Sequence, residues 1–281
     1  MMNTGSSKIF LITGVSSGLG KAFAQAAISA GHRVVGTVRD EQARAAFEAM
    51  DALRAKAVIL DVSHFDAVEP TLREALQAIG EVDVLVNNAG YGHEGTLEES
   101  PLAEMQRQFD VNVFGAVAVI KAVLPGMRKR RSGHIINVTS MAGMVTFPGI
   151  AYYSGSKFAL EGISEALAKE LKGFGIKVTA FAPGSFRTDW AGRSMVRSSH
   201  SIADYDAVFN PVRRARQSKS GKQAGDPAKA AQALLHIVAQ ENPPTHLVLG
   251  KDALKLVREK ISKLSEEINA WEAVSLSTDF E

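Results

Sequence analysis

Short apolar runs alternate with longer stretches of helical periodicity along most of the chain. Most of the short runs are continuously apolar, which is typical of strands that helices cover on both faces. Their alternation with helices predicts a parallel sheet. The predicted strands are residues 8–13, 33–38, 57–60, 82–87, 134–138, 177–182 and 246–249. The pattern therefore predicts an α/β fold whose seven parallel strands form one doubly wound sheet.

Helical periodicity fills the segments between these strands. The predicted helices are residues 18–30, 40–50, 65–79, 101–130, 152–174, 227–240 and 252–271. No stretch rich in proline and glycine divides the chain, so we predict a single domain over residues 1–281. Its expected parts are a core at 8–189 and a C-terminal helix, strand and helix at 226–281.

Residues 190–225 interrupt the alternation of strands and helices. The segment is polar and basic and has no clear periodicity. Long irregular segments inside a compact domain are usually lids, binding loops or disordered insertions. Two interpretations stay open at this point, a solvated loop and a lid over a substrate.

Composition excludes several functional classes. The chain has 32 Lys and Arg residues against 30 Asp and Glu, and this net charge of +2 gives no field for nucleic acid or an anionic membrane. The absence of cysteine excludes disulfides and thiolate sites and suits a reducing compartment, so we expect a cytoplasmic protein. The seven histidines lack metal-ligand spacing, and no metal site is predicted.

No membrane segment is predicted either. The first apolar run, 9–12, is too short for the core of a signal peptide. The most apolar long stretch, 111–124, is interrupted by Asn112 and Lys121, and its length suits a buried helix.

The first predicted strand runs into a glycine-rich loop that opens a helix. The loop reads Thr13-Gly14-Val15-Ser16-Ser17-Gly18-Leu19-Gly20. Glycines at such positions allow a tight turn and bring backbone amides close to a pyrophosphate at the helix N-terminus. The order of strand, glycine loop and helix favours a dinucleotide site over a glycine-rich turn without a ligand.

A tyrosine and a lysine four positions apart, Tyr153 and Lys157, fall on one face of a predicted helix. An ammonium about 5 Å from the phenol would favour the phenolate by roughly 3 kcal/mol and bring its pKa close to neutral. Such a phenol is a suitable proton donor for carbonyl chemistry. Tyr152 lacks this partner, because Ser156 stands four residues after it. The spacing alone also fits a solvated helix face.

Four further elements accompany the glycine loop and the tyrosine–lysine pair. They are Asn87-Asn88-Ala89-Gly90 after the fourth predicted strand, Asn112 in the long helix, Ser140 thirteen residues before Tyr153, and Pro183-Gly184 followed by Thr188. In this order and spacing, the chain from about residue 8 to 188 resembles the short-chain dehydrogenase/reductase family. The run 33–40 also resembles the branch that includes 17β-hydroxysteroid dehydrogenases.

The resemblance implies a Rossmann-type fold and hydride transfer between a nicotinamide cofactor and a carbonyl or alcohol substrate. It implies that Tyr153 is the general acid in reduction and the general base in oxidation, and that Ser140 holds the substrate oxygen. Lys157 would lower the pKa of the tyrosine and bind the nicotinamide ribose, and Asn112 would hold a water that connects the lysine to solvent. The implied cofactor-binding residues are Gly14, Ser16, Ser17, Gly18, Leu19, Gly20, Arg39, Asp61, Val62, Asn88, Ala89, Gly90, Tyr153, Lys157, Pro183, Gly184 and Thr188.

The choice of cofactor depends on the end of the second strand. A carboxylate there holds the ribose 2′-hydroxyl of NAD, whereas an arginine accommodates the 2′-phosphate of NADP. By the family's pattern the acidic position falls on Val38, and Arg39 comes next, which favours NADP. Asp40 is the reason to keep NAD as the less favoured cofactor, although this residue could simply cap the next helix.

The substrate is expected to be a moderately apolar carbonyl or alcohol, with Met141, Met144, Val145 and Phe147 on one wall of the site. His93 could approach the nicotinamide side, but a surface position is favoured. Family members commonly form dimers or tetramers through the two long helices, so a homodimer or homotetramer is expected. Two alternatives remain, an NAD-dependent alcohol dehydrogenase of the same family and a non-catalytic dinucleotide sensor.

Overall fold

The computed structural model describes residues 7–199 and 201–280. Its strands are β1 (Ile9–Ile12), β2 (Arg33–Val38), β3 (Ala55–Ile59), β4 (Val84–Asn87), β5 (Gly92–Glu94), β6 (Gly133–Val138), β7 (Ile176–Pro183), β8 (Met195–Arg197) and β9 (His246–Leu249). Seven of them form one sheet in the order β3-β2-β1-β4-β6-β7-β9, with every neighbouring pair parallel. The predicted α/β fold with a seven-stranded parallel sheet is confirmed. The remaining two strands, β5 and β8, form a separate parallel pair.

Helices flank this sheet. They are α1 (Gly18–Ser29), α2 (Glu41–Glu48), α3 (Phe65–Ile79), α4 (Leu102–Phe109), α5 (Ala116–Arg130), α6 (Ala151–Leu171), α7 (Asp206–Ser218), α8 (Pro227–Val238), α9 (Lys251–Ala270) and α10 (Glu272–Leu276). A π-helical turn, Asp110–Gly115, joins α4 to α5, so the helix predicted at 101–130 is one helix with a bulge.

The two faces of the sheet carry separate hydrophobic cores. Phe10 of β1 packs with Phe23 of α1 on one face. Its neighbour Leu11 packs with Leu72 of α3 and Val119 of α5 on the other face. Successive side chains of a strand point to opposite faces, so a strand covered on both sides must be apolar at consecutive positions.

The helix formed by α4, the π-helical turn and α5 has the length and hydropathy of a membrane-spanning helix. Its C-terminal half buries Val119, Ile120, Val123 and Met127. These side chains belong to the core that contains Leu11 and Leu85 of the sheet. Packing against the sheet accounts for the apolar composition of this half of the helix.

Residues 190–225 are more regular than the sequence predicted. They contain the strand β8 and the helix α7, which the prediction of an irregular loop missed. In α7 only Phe209 is buried, the helix has few apolar residues, and Pro211, a residue that usually interrupts helices, lies inside it. A three-residue strand such as β8 is too short to leave an alternating pattern.

The order of the sheet also locates the site. Successive strands move outward in one direction through β1, β2 and β3, and in the other through β4, β6, β7 and β9. Ligands of such sheets bind beyond the carboxyl ends of the strands, where the order reverses. The large cavity of this protein, about 2040 Å³, lies at that place, lined by Gly14, Asn88, Ser140 and Gly184 from the ends of β1, β4, β6 and β7.

Candidate active site

The glycine loop between β1 and α1 takes backbone conformations that favour glycine. Gly14 and Gly18 have positive φ angles of 72° and 57°. A Cβ on Gly14 would lie only 3.2 Å from the Cα of Ala89. Gly20 has another role than the predicted one, because a Cβ there would overlap the carbonyl oxygen of Gly14 and the side-chain amide of Asn88. Gly20 therefore permits close packing and does not line the cavity.

The N-terminus of α1 has the features of an anion site. Ser17 is its N-cap residue but makes no side-chain capping hydrogen bond, and the first turn holds no acidic residue. The first amides of the helix and its positive end are thus available to a pyrophosphate. Ser16, Ser17, Gly18 and Leu19 all line the cavity at this point. The local geometry fits the dinucleotide that the sequence predicts.

Asn88, at the end of β4, holds the glycine loop in place. Its side chain donates to the carbonyl oxygens of Thr13 and Gly14 over 2.9 and 3.0 Å. The backbone amides of Asn88 and Ala89 both donate to the hydroxyl of Thr13, each over 2.9 Å. Asn88, Ala89 and Gly90 line the cavity, as predicted cofactor-binding residues should.

The π-helical turn carries Asn112 into the interior. Its Oδ1 accepts from the amide of Tyr91 over 3.1 Å, and its Nδ2 donates to the carbonyl oxygen of Tyr91 and to the Ser156 hydroxyl. Asn112 is 1% exposed and does not line the cavity, so this structure does not bring it into contact with a ligand there. It joins the loop after β4 to helix α6 at Ser156, which lies between Tyr153 and Lys157 in the helix. Single-turn π-bulges inside α-helices are frequent at functional sites.

Ser140, Tyr153 and Lys157 line one wall of the cavity. Ser140 follows β6 and caps a short turn, with its Oγ accepting from the amide of Ala142 over 3.0 Å. The same side chain lies close enough to the Tyr153 phenol to lower its pKa. Lys157 lies one turn further along α6 and donates to the carbonyl oxygen of Val138 over 2.8 Å. The structure therefore brings the predicted hydroxyl, phenol and ammonium together.

The charge state of this pair differs from the expectation. Burial raises the pKa of Tyr153 to about 12, although the interaction with Ser140 acts in the opposite direction and lowers it. Burial also lowers the pKa of Lys157 to about 8, while the negative charge of Glu161 raises it. The expectation that Lys157 brings the pKa of Tyr153 close to neutral is wrong for this structure. The helical spacing is as expected, but loss of water around both groups outweighs their proximity.

Glu161 extends the row Tyr153, Lys157 by one more turn of α6. Its carboxylate is 7% exposed, and its Oε2 lies 2.9 Å from Nδ1 of His246 on β9. Its other oxygen, Oε1, is buried without a hydrogen bond among the described residues. Sequence reasoning missed this pair, because its members are 85 residues apart in the chain.

The residues at the end of β2 are those whose contacts with the cofactor's ribose would distinguish NADP from NAD. Val38 ends β2 and is buried, whereas Arg39 is exposed and lines the cavity. Asp40 is the N-cap residue of α2, and its Oδ1 accepts from the amide of Ala43 over 2.8 Å. The pKa of Asp61 is lowered overall: burial acts to raise it, but hydrogen bonds from Ser63 and the charge of Arg39 lower it by more. Arg39 thus lines the cavity just after β2, while Asp40 caps α2.

The remaining predicted cofactor-binding residues also line the cavity. They are Asp61 and Val62 after β3, Pro183 and Gly184 at the end of β7, and Thr188. Gly184 is required by its surroundings, since a Cβ there would lie 2.5 Å from Oδ1 of Asp252. The hydroxyl of Thr188 accepts from the amide of Trp190 over 3.3 Å and starts a short turn.

The substrate side of the cavity is formed by Met141, Phe147, Ile150, Trp190, Val196 and Val212. Trp190 lies against Tyr153, with ring centres 5.0 Å apart. Met144 and Val145, which the sequence also placed on this wall, do not line the cavity, because the turn after β6 directs them elsewhere. An apolar enclosure around the phenol and the Ser140 hydroxyl can hold a carbonyl oxygen within reach of two donors.

Tyr152 and His93 are structural residues. The hydroxyl of Tyr152 donates to the carbonyl oxygen of Ser100 over 2.7 Å, and its ring stacks on that of His93. His93 is 1% exposed and its Nε2 lies 2.9 Å from the hydroxyl of Ser100. The expected surface position of His93 is wrong, since β5 pairs with β8 and carries the imidazole inward.

A buried carboxylate fixes α7 over the substrate side. Glu94 of β5 is fully buried, and its oxygens lie 2.6 Å from Arg216, 3.3 Å from Arg197 and 3.8 Å from Arg213. Arg216 also donates to the carbonyl oxygen of Pro148. Sequence reasoning missed this arginine cluster, because the glutamate lies in an unpredicted strand and the arginines in a segment interpreted as irregular.

Comparisons with known proteins agree with the fold. A family model described as short chain dehydrogenase matches residues 8–197. The 3-ketodihydrosphingosine reductase of Bacteroides thetaiotaomicron is 38% identical over 245 residues, which are 86% of this chain and 88% of that protein.

Two solved structures are similar over almost the whole chain. A short-chain dehydrogenase from Streptomyces avermitilis has a TM-score of 0.91 and 40% identity, and the match covers 98% of this chain and 100% of the other. A short chain dehydrogenase/reductase from Burkholderia phymatum, solved in complex with NAD, has a TM-score of 0.79 and 26% identity, with 93% and 95% covered.

Proposed function

The chain is an oxidoreductase that belongs to the short chain dehydrogenase family, and from this membership we propose that it reduces an apolar carbonyl compound with NADPH, with Tyr153 as the proton donor. One observation carries the proposal. Ser140, Tyr153 and Lys157 line the same cavity as the glycine loop and Arg39, so a hydride donor and two hydrogen-bond donors can meet at one substrate oxygen.

The bound nicotinamide supplies the hydride. Reduction of a carbonyl develops negative charge on its oxygen, and a preorganised donor lowers the energy of that charge. The Tyr153 phenol, with its pKa raised to about 12 by burial, keeps its proton at neutral pH until an alkoxide develops beside it. The Ser140 hydroxyl holds the same oxygen. Lys157, fixed by the carbonyl oxygen of Val138, contributes positive charge and is placed to bind a ribose hydroxyl.

The end of β2 supports NADP over NAD. A ribose 2′-phosphate needs a cation, and the exposed guanidinium of Arg39 faces the cavity. A ribose 2′-hydroxyl needs a carboxylate, and Asp40, which also lines the cavity, has its Oδ1 held by the amide of Ala43 as the cap of α2. The NAD bound to the Burkholderia phymatum protein is a property of that protein.

An apolar substrate is supported by the wall that Phe147, Trp190, Val196 and Val212 form opposite the glycine loop. One relative is a 3-ketodihydrosphingosine reductase, whose substrate is a ketone. We therefore propose a ketone or aldehyde with an extended hydrocarbon part. The alternative of a dinucleotide sensor is disfavoured because Ser140, Tyr153 and Lys157 are all present and face one cavity.

The experiment is NADPH oxidation by the purified protein with a panel of ketones and aldehydes of increasing alkyl length. We expect turnover, and kcat/KM that rises by up to about fourfold per added methylene until the cavity is filled. Tight NADPH binding without turnover over the whole panel would instead establish a sensor.

The cofactor is tested by comparing kcat/KM for NADPH and NADH in three proteins. Wild type should prefer NADPH, and Arg39→Ala should lower kcat/KM for NADPH about 10- to 100-fold while leaving NADH nearly unchanged. Arg44→Ala is the matched control, because Arg44 lies on α2 in an exposed ion pair with Glu41 and does not line the cavity. A wild-type preference for NADH would refute the argument from Arg39.

A further inference from the structure

Helix α9 makes little contact with the rest of the protein. Only Ala253 and Val257, in its first two turns, are buried, and every residue from 258 to 270 is exposed. Large apolar side chains lie in this exposed part, with Ile261 62% exposed and Ile268 60% exposed. A contiguous exposed apolar surface on a soluble helix commonly marks a site of association.

The apolar side chains of α9 follow a heptad repeat. Separations of three and four residues alternate along the series Leu254, Val257, Ile261, Leu264, Ile268 and Trp271. These are the a and d positions of a coiled coil, a stripe narrower than the apolar face of a helix that packs on a sheet. Val257 lies against the body of the protein, and the stripe continues from there into the exposed part of the helix.

We propose that α9 pairs with α9 of a second copy of this chain as an antiparallel coiled coil on a two-fold axis. In antiparallel pairs an a position faces a d position. Ile261 then meets Leu264 of the second copy close to the axis. Val257, which would face Ile268 in this register, packs against its own body, so the contacts with the second copy are confined to the exposed part of the helix. The interface is isologous, so every contact occurs twice and the assembly closes as a dimer.

The charges beside the stripe select the antiparallel direction. Lys260 and Glu267 both occupy g positions, and in this register Lys260 of each copy faces Glu267 of the other. Parallel pairing would instead place Glu267 opposite Glu272, two like charges. Within the described part of the chain, Lys260 and Glu267 take part in no ion pair. Each is therefore available to the second copy.

A membrane surface fits the same helix less well. Interfacial helices carry a polar face rich in lysine and arginine. Helices α9 and α10 together carry five Lys and Arg residues and five Asp and Glu residues, so they have no net positive charge for an anionic lipid surface. On the outer side of α9, Lys255 pairs with Glu259 and Ser262 bonds to Glu266, so these groups are satisfied within one helix.

The absence of cysteine from the chain allows a direct test of direction. Lys260→Cys and Glu267→Cys are made as two single variants of the full-length protein, one with an affinity tag of different mass, then mixed and oxidised. Antiparallel pairing brings residue 260 opposite residue 267 of the second copy, so we expect the mixed disulfide as the main product. Homodisulfides of each variant as the main products, or no cross-linked product, would show that residues 260 and 267 of the two copies do not face each other and would overturn the proposal.

Charge exchange tests the same contact without cross-linking. Lys260→Glu should weaken self-association about tenfold in sedimentation analysis, because two attractive pairs become repulsive, and Glu267→Lys should do the same. The double variant carrying both changes should associate like wild type. Lys263→Glu is the matched control, since residue 263 lies at a c position outside the seam, and it should leave association unchanged. A double variant no better than either single one contradicts the proposed pairing.

The apolar seam is tested by Ile261→Asp combined with Ile268→Asp, which should halve the particle mass while NADPH oxidation is retained. The same variant is tested for flotation with vesicles of phosphatidylcholine and phosphatidylserine. Flotation of wild type with these vesicles, together with the absence of a mixed disulfide between the two cysteine variants, would show that α9 binds membranes and would refute the proposed dimer.

Discussion

The Lys157 ammonium lies 5.8 Å from the centre of the Tyr153 ring, one turn away on the same helix. Both groups are buried, and burial moves the two pKa values in opposite directions, to about 12 for the phenol and about 8 for the ammonium. At neutral pH the Tyr153 phenol is therefore uncharged and the Lys157 ammonium is positively charged, and both lie beside the Ser140 hydroxyl.

Tyr153→Phe should lower kcat for carbonyl reduction about 10³-fold, because the proton donor is removed while the aromatic ring stays against Trp190. The Kd for NADPH, measured by fluorescence titration, should stay within about twofold of wild type, since the packing beside the cofactor is kept. Tyr152→Phe is the matched control. It loses a hydrogen bond to Ser100, which costs about 1 kcal/mol of stability, but it keeps turnover. Full activity of Tyr153→Phe would overturn the assignment.

Lys157→Met should damage both turnover and cofactor binding. The variant keeps the length of the side chain but removes the charge and the hydrogen bond to the carbonyl oxygen of Val138. We expect the Kd for NADPH to rise about tenfold and kcat to fall by a larger factor. Lys169→Met, in an exposed ion pair on the same helix, serves as the control. An unchanged Kd for NADPH in Lys157→Met would show that this lysine does not bind the ribose.

Glu161→Gln should change the pH dependence of reduction. The negative charge of Glu161 raises the pKa of Lys157, which burial lowers to about 8, so loss of that charge lowers the pKa further. If the ammonium is the active form, activity declines as pH rises through this pKa. The alkaline limb of the profile of kcat/KM should therefore move to lower pH in the variant. The control is Glu165→Gln, one turn along α6 and exposed. Coincident profiles of wild type and Glu161→Gln would show that this carboxylate does not act on the lysine.

Arg216→Met should loosen α7 from the substrate side. Arg216 makes the shortest contact to the buried Glu94, and removal of one partner from a buried ion pair is strongly destabilising. With Arg197 and Arg213 still present, we expect a cost of about 2 kcal/mol in the docking of α7. Limited trypsin digestion should cut within 206–218 faster than in wild type, and KM for long-chain ketones should rise. Arg214→Met is the control, because Arg214 is exposed on the same helix. Equal digestion rates of the two variants would exclude this role for Arg216.

The sequence was sufficient for the parts of the fold that depend on strong local patterns. Buried parallel strands and a helix with a buried face leave continuous or periodic apolar runs, so the strands of the sheet were predicted with boundaries within two residues of those in the structure. Helix α7 was missed, because it has few apolar residues and is held by charged contacts to Glu94 and by the single buried side chain of Phe209.

In the site, too, local sequence patterns predicted some features, and others depend on how the chain packs. Spacing within α6 placed Tyr153 and Lys157 on one helix face, and the glycine loop is local in sequence. The pKa values were not predictable, because they depend on burial that only the packed structure defines. The contact between Glu161 and His246 depends on β9 reaching the edge of the sheet beside β7.

His134 provides a test that does not involve catalysis. Burial, with the charges of Lys177 and Lys8, lowers the pKa of this imidazole from 6.5 to about 4. In the unfolded chain His134 takes up a proton as pH falls below 6.5, whereas in the folded protein it does so only near pH 4. Stability from the neutral imidazole is therefore fully present above pH 6.5 and is lost as pH falls toward 4, by about 3 kcal/mol.

His134→Gln removes this titration, so the free energy of unfolding should fall less steeply between pH 6.5 and 4 than in wild type. Urea denaturation at several pH values measures the difference. His236→Gln, at an exposed histidine of α8, should follow the wild-type slope. Thr179 keeps a hydrogen bond to the carbonyl oxygen of Pro244 in the variant, so the comparison is not dominated by an unsatisfied hydroxyl. Equal slopes for wild type and His134→Gln would mean that the imidazole is not held neutral by its burial.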